Sequence, residues 1–226
     1  MSAGAGTRRR ILVGAGTFAD AVTAIGLAET IADRIAADFL GVFVEERIVV
    51  EAVGLPCQRI VTASGAMRIP PSRQRIEALI DYDAKAFQQR LQGVARRRKA
   101  GFAFERLSGE LVDRVFASAS QADLLIIGRQ THHRRTGRVA LLGAPASPEA
   151  SDLASAIAAA LRCEIAAFPA GESEEDLTRI LARLDRMHAS AVVLDRASGP
   201  FRSQEQLRRL LAAARCPVLA VGATST

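Results

Sequence analysis

The feature that most constrains this chain is a regular alternation of short apolar runs with longer segments of helical periodicity. The first run, at 11–13, ends in glycine, and apolar residues then recur at Phe18, Val22 and Ile25 with the spacing of one helix face. The next run, at 39–44, is apolar throughout, as in a strand buried on both faces. Alternating strands and helices predict an α/β fold with a parallel sheet and right-handed crossovers.

The same pattern continues to the end of the chain. We predict strands at 10–14, 39–44, 102–106, 124–128, 164–168, 191–194 and 217–221. The longest helix is predicted over 73–99. Two connections, 47–75 and 129–149, are punctuated by Gly and Pro and are predicted to be irregular loops.

Two parts of the sequence repeat. The segment 162–168 resembles 215–221, since each begins Arg-Cys and follows an Ala/Leu-rich helix. The segment 122–127 likewise resembles 190–194. We infer that one strand–helix–strand unit occurs twice, with a long central loop in the first copy and a short one in the second.

The balance of charge is basic. Thirty Lys and Arg against 24 Asp and Glu give a net charge of +6, which invites a nucleic-acid-binding interpretation. Aromatic residues make up only 4% of the chain, which disfavours modes that stack bases on aromatic side chains. The basic run at 96–99 closes a helix, where cations stabilise the helix dipole. Nucleic acid is therefore an unfavoured partner.

Cysteine and histidine are few and scattered. Neither the three cysteines, Cys57, Cys163 and Cys216, nor the pair His132-His133 has the spacing of a metal site, so no metal is expected. Unpaired cysteines fit a reducing cytoplasm. No apolar run approaches the ~18 residues that a membrane span needs. We therefore expect a cytoplasmic protein with no membrane partner.

Three stretches carry a resemblance to a known family. The opening strand and helix from residue 9, the segment 122–129 and the Cys-Pro-Val strand at 215–221 resemble the universal stress protein domain. The resemblance implies a Rossmann-like open sheet of order 3-2-1-4-5 over residues 8–170, with helices on both faces. Residues 171–226 resemble a truncated second copy, whose two further strands are expected to extend the sheet or mediate dimerisation.

The function that this resemblance implies is regulation rather than catalysis. Such a protein would respond to a nucleotide or act purely as a scaffold. Family members commonly dimerise through the last strand, so a homodimer is expected.

The ATP-binding members of the family use an Asp after the first strand and a glycine loop after the fourth. Here Gly16 stands where that Asp would fall, and Thr131 replaces one loop glycine. Arginines near that loop can bind phosphate without a glycine cradle. We expect an altered site for an adenine nucleotide, ATP or AMP, or another small anion at the carboxyl edge of the sheet. A solvated basic loop without a ligand is the other interpretation. The predicted site residues are Gly14, Ala15, Gly16, Thr17, Val44, Gly128, Arg129, Arg138, Gly143 and Ala144.

Two alternatives stay open. The segment 14–19 matches a dinucleotide fingerprint after a strand and before a helix, which would suit a dinucleotide-dependent enzyme. No sequence motif pairs a nucleophile with a base, which favours a protein without catalysis. A basic nucleic-acid-binding protein is the other alternative.

Overall fold

The computed structural model describes residues 9–46, 60–61, 67–68, 72–120, 123–129, 137–171, 173–196 and 199–222. The strands are β1 (Arg9–Ala15), β2 (Ala37–Glu45), β3 (Ile60–Val61), β4 (Met67–Arg68), β5 (Phe102–Ser108), β6 (Leu124–Ile127), β7 (Arg138–Ala144), β8 (Ile165–Pro169), β9 (Ala189–Asp195) and β10 (Val218–Val221). The helices are α1 (Phe18–Ala32), α2 (Arg73–Arg97), α3 (Leu111–Ser118), α4 (Pro148–Leu161), α5 (Glu174–Arg186) and α6 (Gln204–Ala214).

Eight of these strands form one sheet. Its order is β5-β2-β1-β6-β10-β9-β7-β8, while β3 and β4 pair separately as a short antiparallel ladder. Every neighbour in the large sheet is parallel except β6 and β10, which run antiparallel. The predicted α/β class is confirmed, and the predicted parallel sheet is parallel except at this one junction.

The antiparallel junction divides the sheet into two blocks of four strands. We call β5-β2-β1-β6 the first block and β10-β9-β7-β8 the second block. Because the direction reverses at the junction, the carboxyl ends of the first block meet at one edge, named here the first edge. The carboxyl ends of the second block meet at the opposite, second edge.

The predicted strand order is correct for the first four strands and wrong for the fifth. The first block has the order 3-2-1-4, but the strand predicted next to β6 is β8, which lies at the far end of the sheet. The place beside β6 belongs to β10. The cause is β7, which lies inside the predicted loop 129–149 and pairs with β8.

Strand β7 was not predicted because Gly137 and Pro145 flank it and Gly143 lies near its end, although Val139 and Leu142 are fully buried. It begins a second copy of the β1–α1–β2 plan. Both β1 and β7 carry Gly-Ala near their carboxyl end, and both are followed by a hydroxyl residue that caps the next helix, Thr17 and Ser147. Strand pairing groups β7 and β8 with β9 and β10, whereas the sequence predicts a boundary after residue 170.

The Arg-Cys echo has a local cause. Arg162 and Arg215 are the C-caps of α4 and α6, and each adopts a left-handed conformation with φ of 52° and 49°. The repeated Arg-Cys pair therefore reflects two similar helix ends. It does not mark equivalent strands, because β8 and β10 occupy different positions in the sheet.

Helices cover both faces of the sheet, as predicted. One core cluster lies under α1, α2 and α4, and the other lies under α3, α5 and α6. In α1 the buried positions Ala21, Ala24, Ile25 and Ala28 follow the spacing of a helix face. All helices but α3 begin at a Ser or Thr whose side chain accepts a backbone N–H of the first turn.

The two blocks share their cores across the junction. Helix α1 packs against α4 on one face and α3 packs against α6 on the other. Arg208 of α6 forms ion pairs with Glu110 (3.1 Å) and Asp113 (2.6 Å) near the start of α3. The Arg196 guanidinium lies 4.6 Å from the centre of the Phe116 ring. The C-terminal strands thus belong to the same sheet, but they are inserted in its centre rather than added at its end.

Candidate functional site

The first edge brings part of the predicted site together. Gly14–Thr17 leave β1, Val44 is near the end of β2, and Gly128 and Arg129 follow β6. The Gly128 N–H donates to the Gly14 carbonyl at 2.7 Å. A Cβ at Gly16 would lie 3.5 Å from the Val44 carbonyl oxygen, which is ordinary contact. These residues line the crevice between β1 and β6, where the connections from the sheet diverge.

Two glycines of this group are explained by packing. A Cβ on Gly14 would lie 2.3 Å from Val115 Cγ2 of α3. A Cβ on Gly128 would lie 2.5 Å from the Asp20 carbonyl oxygen in the first turn of α1. The Thr23 hydroxyl also donates to the Arg129 carbonyl at 2.9 Å, which holds the strand end against α1. Gly14 and Gly128 are therefore required by the close approach of α3 and α1.

The amino end of α1 already holds a carboxylate. The Phe18 N–H donates to Asp83 Oδ2 of α2 at 3.1 Å, and the Thr17 hydroxyl accepts the Asp20 N–H at 3.1 Å. A helix amino end is where a bound phosphate would be stabilised by free N–H groups and the helix dipole. In this chain the Asp83 carboxylate takes one of those donors, and Asp20 adds a second acidic residue to the same turn.

Three predicted site residues lie elsewhere. Arg138 begins β7 at the first edge, but β10 and β9 separate it from β6 by three strand spacings, roughly 14 Å. Its guanidinium forms an ion pair with Glu164 at 2.9 Å. Gly143 and Ala144 end β7 at the second edge. The reversal at the β6–β10 junction thus divides the predicted residues between two edges. Thr131, His132 and His133 lie outside the described residues.

The second block has an equivalent crevice that the sequence analysis missed. The Ser147 N–H, at the start of α4, donates to Asp195 Oδ2 at the end of β9 (2.7 Å). Asp195 is 1% exposed and the following Phe201 is fully buried. A Cβ on Gly199 would lie 1.9 Å from the Asp195 carbonyl oxygen, so Gly199 packs directly against the end of β9. The Gly-Ala and hydroxyl-cap pattern shared with β1 was the signal that could have revealed it.

Comparison with known proteins gives structural matches only. No protein-family model and no curated protein matches the chain. A universal stress protein from Archaeoglobus fulgidus resembles it with a TM-score of 0.43 and 10% identity, over 94% of this chain and 96% of that one. Universal stress protein UspA from Lactobacillus plantarum resembles it with a TM-score of 0.35 and 19% identity, over 72% of this chain and 99% of that one. Both of these structures are universal stress proteins. At such TM-scores and identities, function has to be inferred from the chain's own geometry.

Several basic residues in the described ranges form ion pairs with carboxylates. In the run at 96–99, Arg97 pairs with Glu29, and Arg98 pairs with Asp33 at 2.6 Å. The Arg98 guanidinium lowers the pKa of Asp33. Other arginines are paired across neighbouring elements, as Arg208 is at the block junction. These arginines are thus held by carboxylates of neighbouring elements.

The cysteines that the structure describes are poor nucleophiles. Burial raises the pKa of Cys216 to about 12, and it also raises the pKa of Cys163. Both thiols are therefore protonated at neutral pH. Within the described ranges, no three His, Cys, Asp or Glu residues are grouped so that they could hold a metal ion. None of the described helices combines the length and the apolarity that crossing a bilayer requires.

Proposed function

We propose that this chain is a cytoplasmic regulatory protein of the universal-stress type that works through protein contacts and holds no nucleotide in its first-edge crevice. One observation carries the proposal: the Asp83 carboxylate accepts the Phe18 N–H at the amino end of α1. A phosphate placed there would meet this negative charge and that of Asp20. Like charges in one site repel, so the ligand would first have to displace or protonate Asp83.

Further contacts support a closed crevice. Gly128 and Gly14 are hydrogen-bonded to each other and lie directly against α1 and α3. Gly16 adds no carboxylate at the position where the family's nucleotide-binding members carry one. At the equivalent place in the second block, the buried Asp195 carboxylate accepts the Ser147 N–H at the amino end of α4. Adenine-nucleotide binding, which the family resemblance implies, is the alternative that the experiment must separate from this proposal.

The test is thermal unfolding of the full chain with millimolar ATP, AMP, NAD or inorganic phosphate. A ligand at 100 times its Kd stabilises a protein by about 2.7 kcal/mol, which corresponds to a Tm shift of roughly 5–10 °C at this size. We expect no saturable shift for the wild type with any of these compounds. A saturable shift with ATP or AMP would overturn the proposal, and one with NAD alone would favour the dinucleotide enzyme.

A pair of variants tests the role of the carboxylate itself. Asp83→Asn keeps an acceptor for the Phe18 N–H but removes the charge. Phosphate should then stabilise the variant more than the wild type. Asp81→Asn is the matched control, because Asp81 lies on the same helix but pairs with Arg106 at 2.6 Å. An equal phosphate response in both variants would refute the assignment of Asp83.

A further inference from the structure

The outer edge of β8 differs from its counterpart in the first block. Strands β2 and β8 both follow the first helix of their block and pair with that block's first strand. In the first block, β5 covers the other side of β2. Among the described residues, no strand covers the other side of β8. An uncovered strand presents unpaired N–H and C=O groups that can pair with another strand.

The hydrogen bonds to β7 show which groups of β8 point outward. The Val139 N–H donates to the Glu164 carbonyl (2.9 Å), and the Ala170 N–H donates to the Ala144 carbonyl (3.0 Å). In a parallel ladder, alternate residues bond to the same neighbour. The even-numbered residues therefore bond to β7, and Ile165 and Ala167 direct their N–H and C=O groups outward. Pro169 faces the same way without an N–H.

The two end strands of the sheet are protected differently. Strand β5 carries the charged residues Glu105 and Arg106, which discourage pairing with a further strand. Strand β8 has the sequence Ile-Ala-Ala-Phe-Pro and carries no charge. Its residues Ile165 and Ala167 are exposed, with 39% of Ile165 accessible. The uncharged, apolar end of the sheet is thus the one suited to pairing.

We propose that β8 pairs antiparallel with β8 of a second copy of this chain, with the two-fold axis at Ala166. Ile165 then forms a hydrogen-bonded pair with Ala167 of the partner subunit. The two-fold axis repeats this pair, so its backbone hydrogen bonds form twice. Pro169 faces Cys163 of the partner subunit. Pro169 has no N–H and the Cys163 N–H already donates to the Ala158 carbonyl at 3.0 Å, so the hydrogen-bonded ladder between the two copies ends before this pair. The result is a continuous sheet through both copies.

Charge complementarity favours a second copy as the occupant. In this register Glu164 lies directly opposite Phe168 of the partner subunit. In each copy the Arg183 guanidinium lies 4.5 Å from the centre of the Phe168 ring. The Glu164 side chain is 76% exposed, so it can turn from Arg138 toward Arg183 of the partner subunit. The two-fold axis creates this pair twice. The proposal is independent of whether the crevice binds a nucleotide.

Sedimentation of the full chain tests the assembly. At a protein concentration of about 100 μM we expect a mass of twice 24.0 kDa. A monomer at that concentration would overturn the proposal. Ala167→Lys places a charge on the pairing edge and should raise the dissociation constant at least about tenfold. Ala103→Lys is the matched control, an exposed alanine on β5, and should leave the dimer intact. Equal effects of the two variants would refute pairing through β8.

Crosslinking and charge reversal test the register. In a background with Cys57→Ser and Cys163→Ser, Ala166→Cys should form a disulfide-linked dimer on mild oxidation, because opposed residues that do not hydrogen-bond to each other lie about 4.5 Å apart between Cα atoms. Ala167→Cys, which faces residue 165, should not crosslink. Glu164→Arg should weaken the dimer, and adding Arg183→Glu should restore it. A dimer without these responses would place the interface elsewhere.

Discussion

The two blocks of the sheet follow one plan but close their crevices in different ways. In the first block a carboxylate from another element, Asp83 of α2, reaches the amino end of α1. In the second block the carboxylate comes from the adjacent strand end, Asp195, and the loop that follows buries Phe201. The carboxylate of the first block is partly exposed, whereas Asp195 and Phe201 of the second block are buried. In both blocks a carboxylate thus accepts an N–H at the amino end of the first helix, and the two blocks differ in how deeply that carboxylate is buried.

The largest expected loss of stability comes from the buried Phe201 side chain of the second block. Phe201 is fully buried, so Phe201→Ala should lower the free energy of unfolding by about 3–5 kcal/mol. Phe102→Ala, at a half-buried position of the edge strand β5, is the matched control and should cost clearly less. Urea denaturation of both variants measures the difference. Equal losses would mean that the buried Phe201 side chain stabilises the fold no more than the half-buried Phe102 does.

The blocks also differ where their strands begin. In the first block Asp123, 2% exposed, accepts hydrogen bonds from Arg10 Nη2 (2.6 Å) and the Ser120 N–H (2.8 Å). Burial alone would raise the pKa of Asp123, but these hydrogen bonds outweigh it and lower the pKa below its ordinary 3.8. In the second block the corresponding contact is neutral: the Gly137 N–H donates to the Ser190 hydroxyl at 2.7 Å.

We expect Asp123→Asn to cost about 2–3 kcal/mol near pH 7, since the Arg10 side chain is partly exposed and loses only part of its stabilisation. Because the folded pKa is lowered, the stabilisation is complete above 3.8 and is lost as the pH falls through the lower, folded value. The gap between wild type and variant should therefore shrink below pH 3.8. Ser190→Ala should cost about 1 kcal/mol at every pH. A gap for Asp123→Asn that stays constant into strong acid would contradict this account.

Periodicity alone was enough to predict most of the sheet. The strands β1, β2, β6 and β9 are buried on both faces, and such continuous apolar runs are distinctive in sequence. Strand β7 was missed because glycines and a proline at its ends look like a loop. Missing one strand displaced β8 from the far end of the sheet to its centre, since strand order depends on every crossover.

The candidate site was less accessible from the sequence. The residues at β1 and β6 were predicted correctly as neighbours, because parallel strands end at one edge. Asp83 could not be predicted, since it reaches α1 only through tertiary packing. The separation of Gly143 from Gly14 depends on the antiparallel β6–β10 junction, which has no local signal in the sequence.

The two carboxylates that close the crevices can be compared directly. Asp195 is 1% exposed, so Asp195→Asn places an extra amide donor in a buried site and should cost about 1–3 kcal/mol. Asp83 is more accessible, and Asp83→Asn should cost less than about 1 kcal/mol. Thermal and urea unfolding of both variants test this order. The reverse order would show that Asp83, rather than the buried Asp195, contributes more to the stability of the fold.

The smallest effect is expected at Gly16, the one glycine of the first-edge group with room for a side chain. A Cβ there meets only the Val44 carbonyl at 3.5 Å, and its backbone is not left-handed, so Gly16→Ala should leave the stability unchanged or raise it by up to about 1 kcal/mol. Gly128→Ala, which would press on the Asp20 carbonyl, should destabilise strongly and serves as the contrast. If Gly16→Ala instead weakened the fold as much as Gly128→Ala, the crevice would be packed throughout. The first-edge crevice would then be packed as tightly as that of the second block. The two blocks would no longer differ between a partly exposed carboxylate and a buried, packed interior.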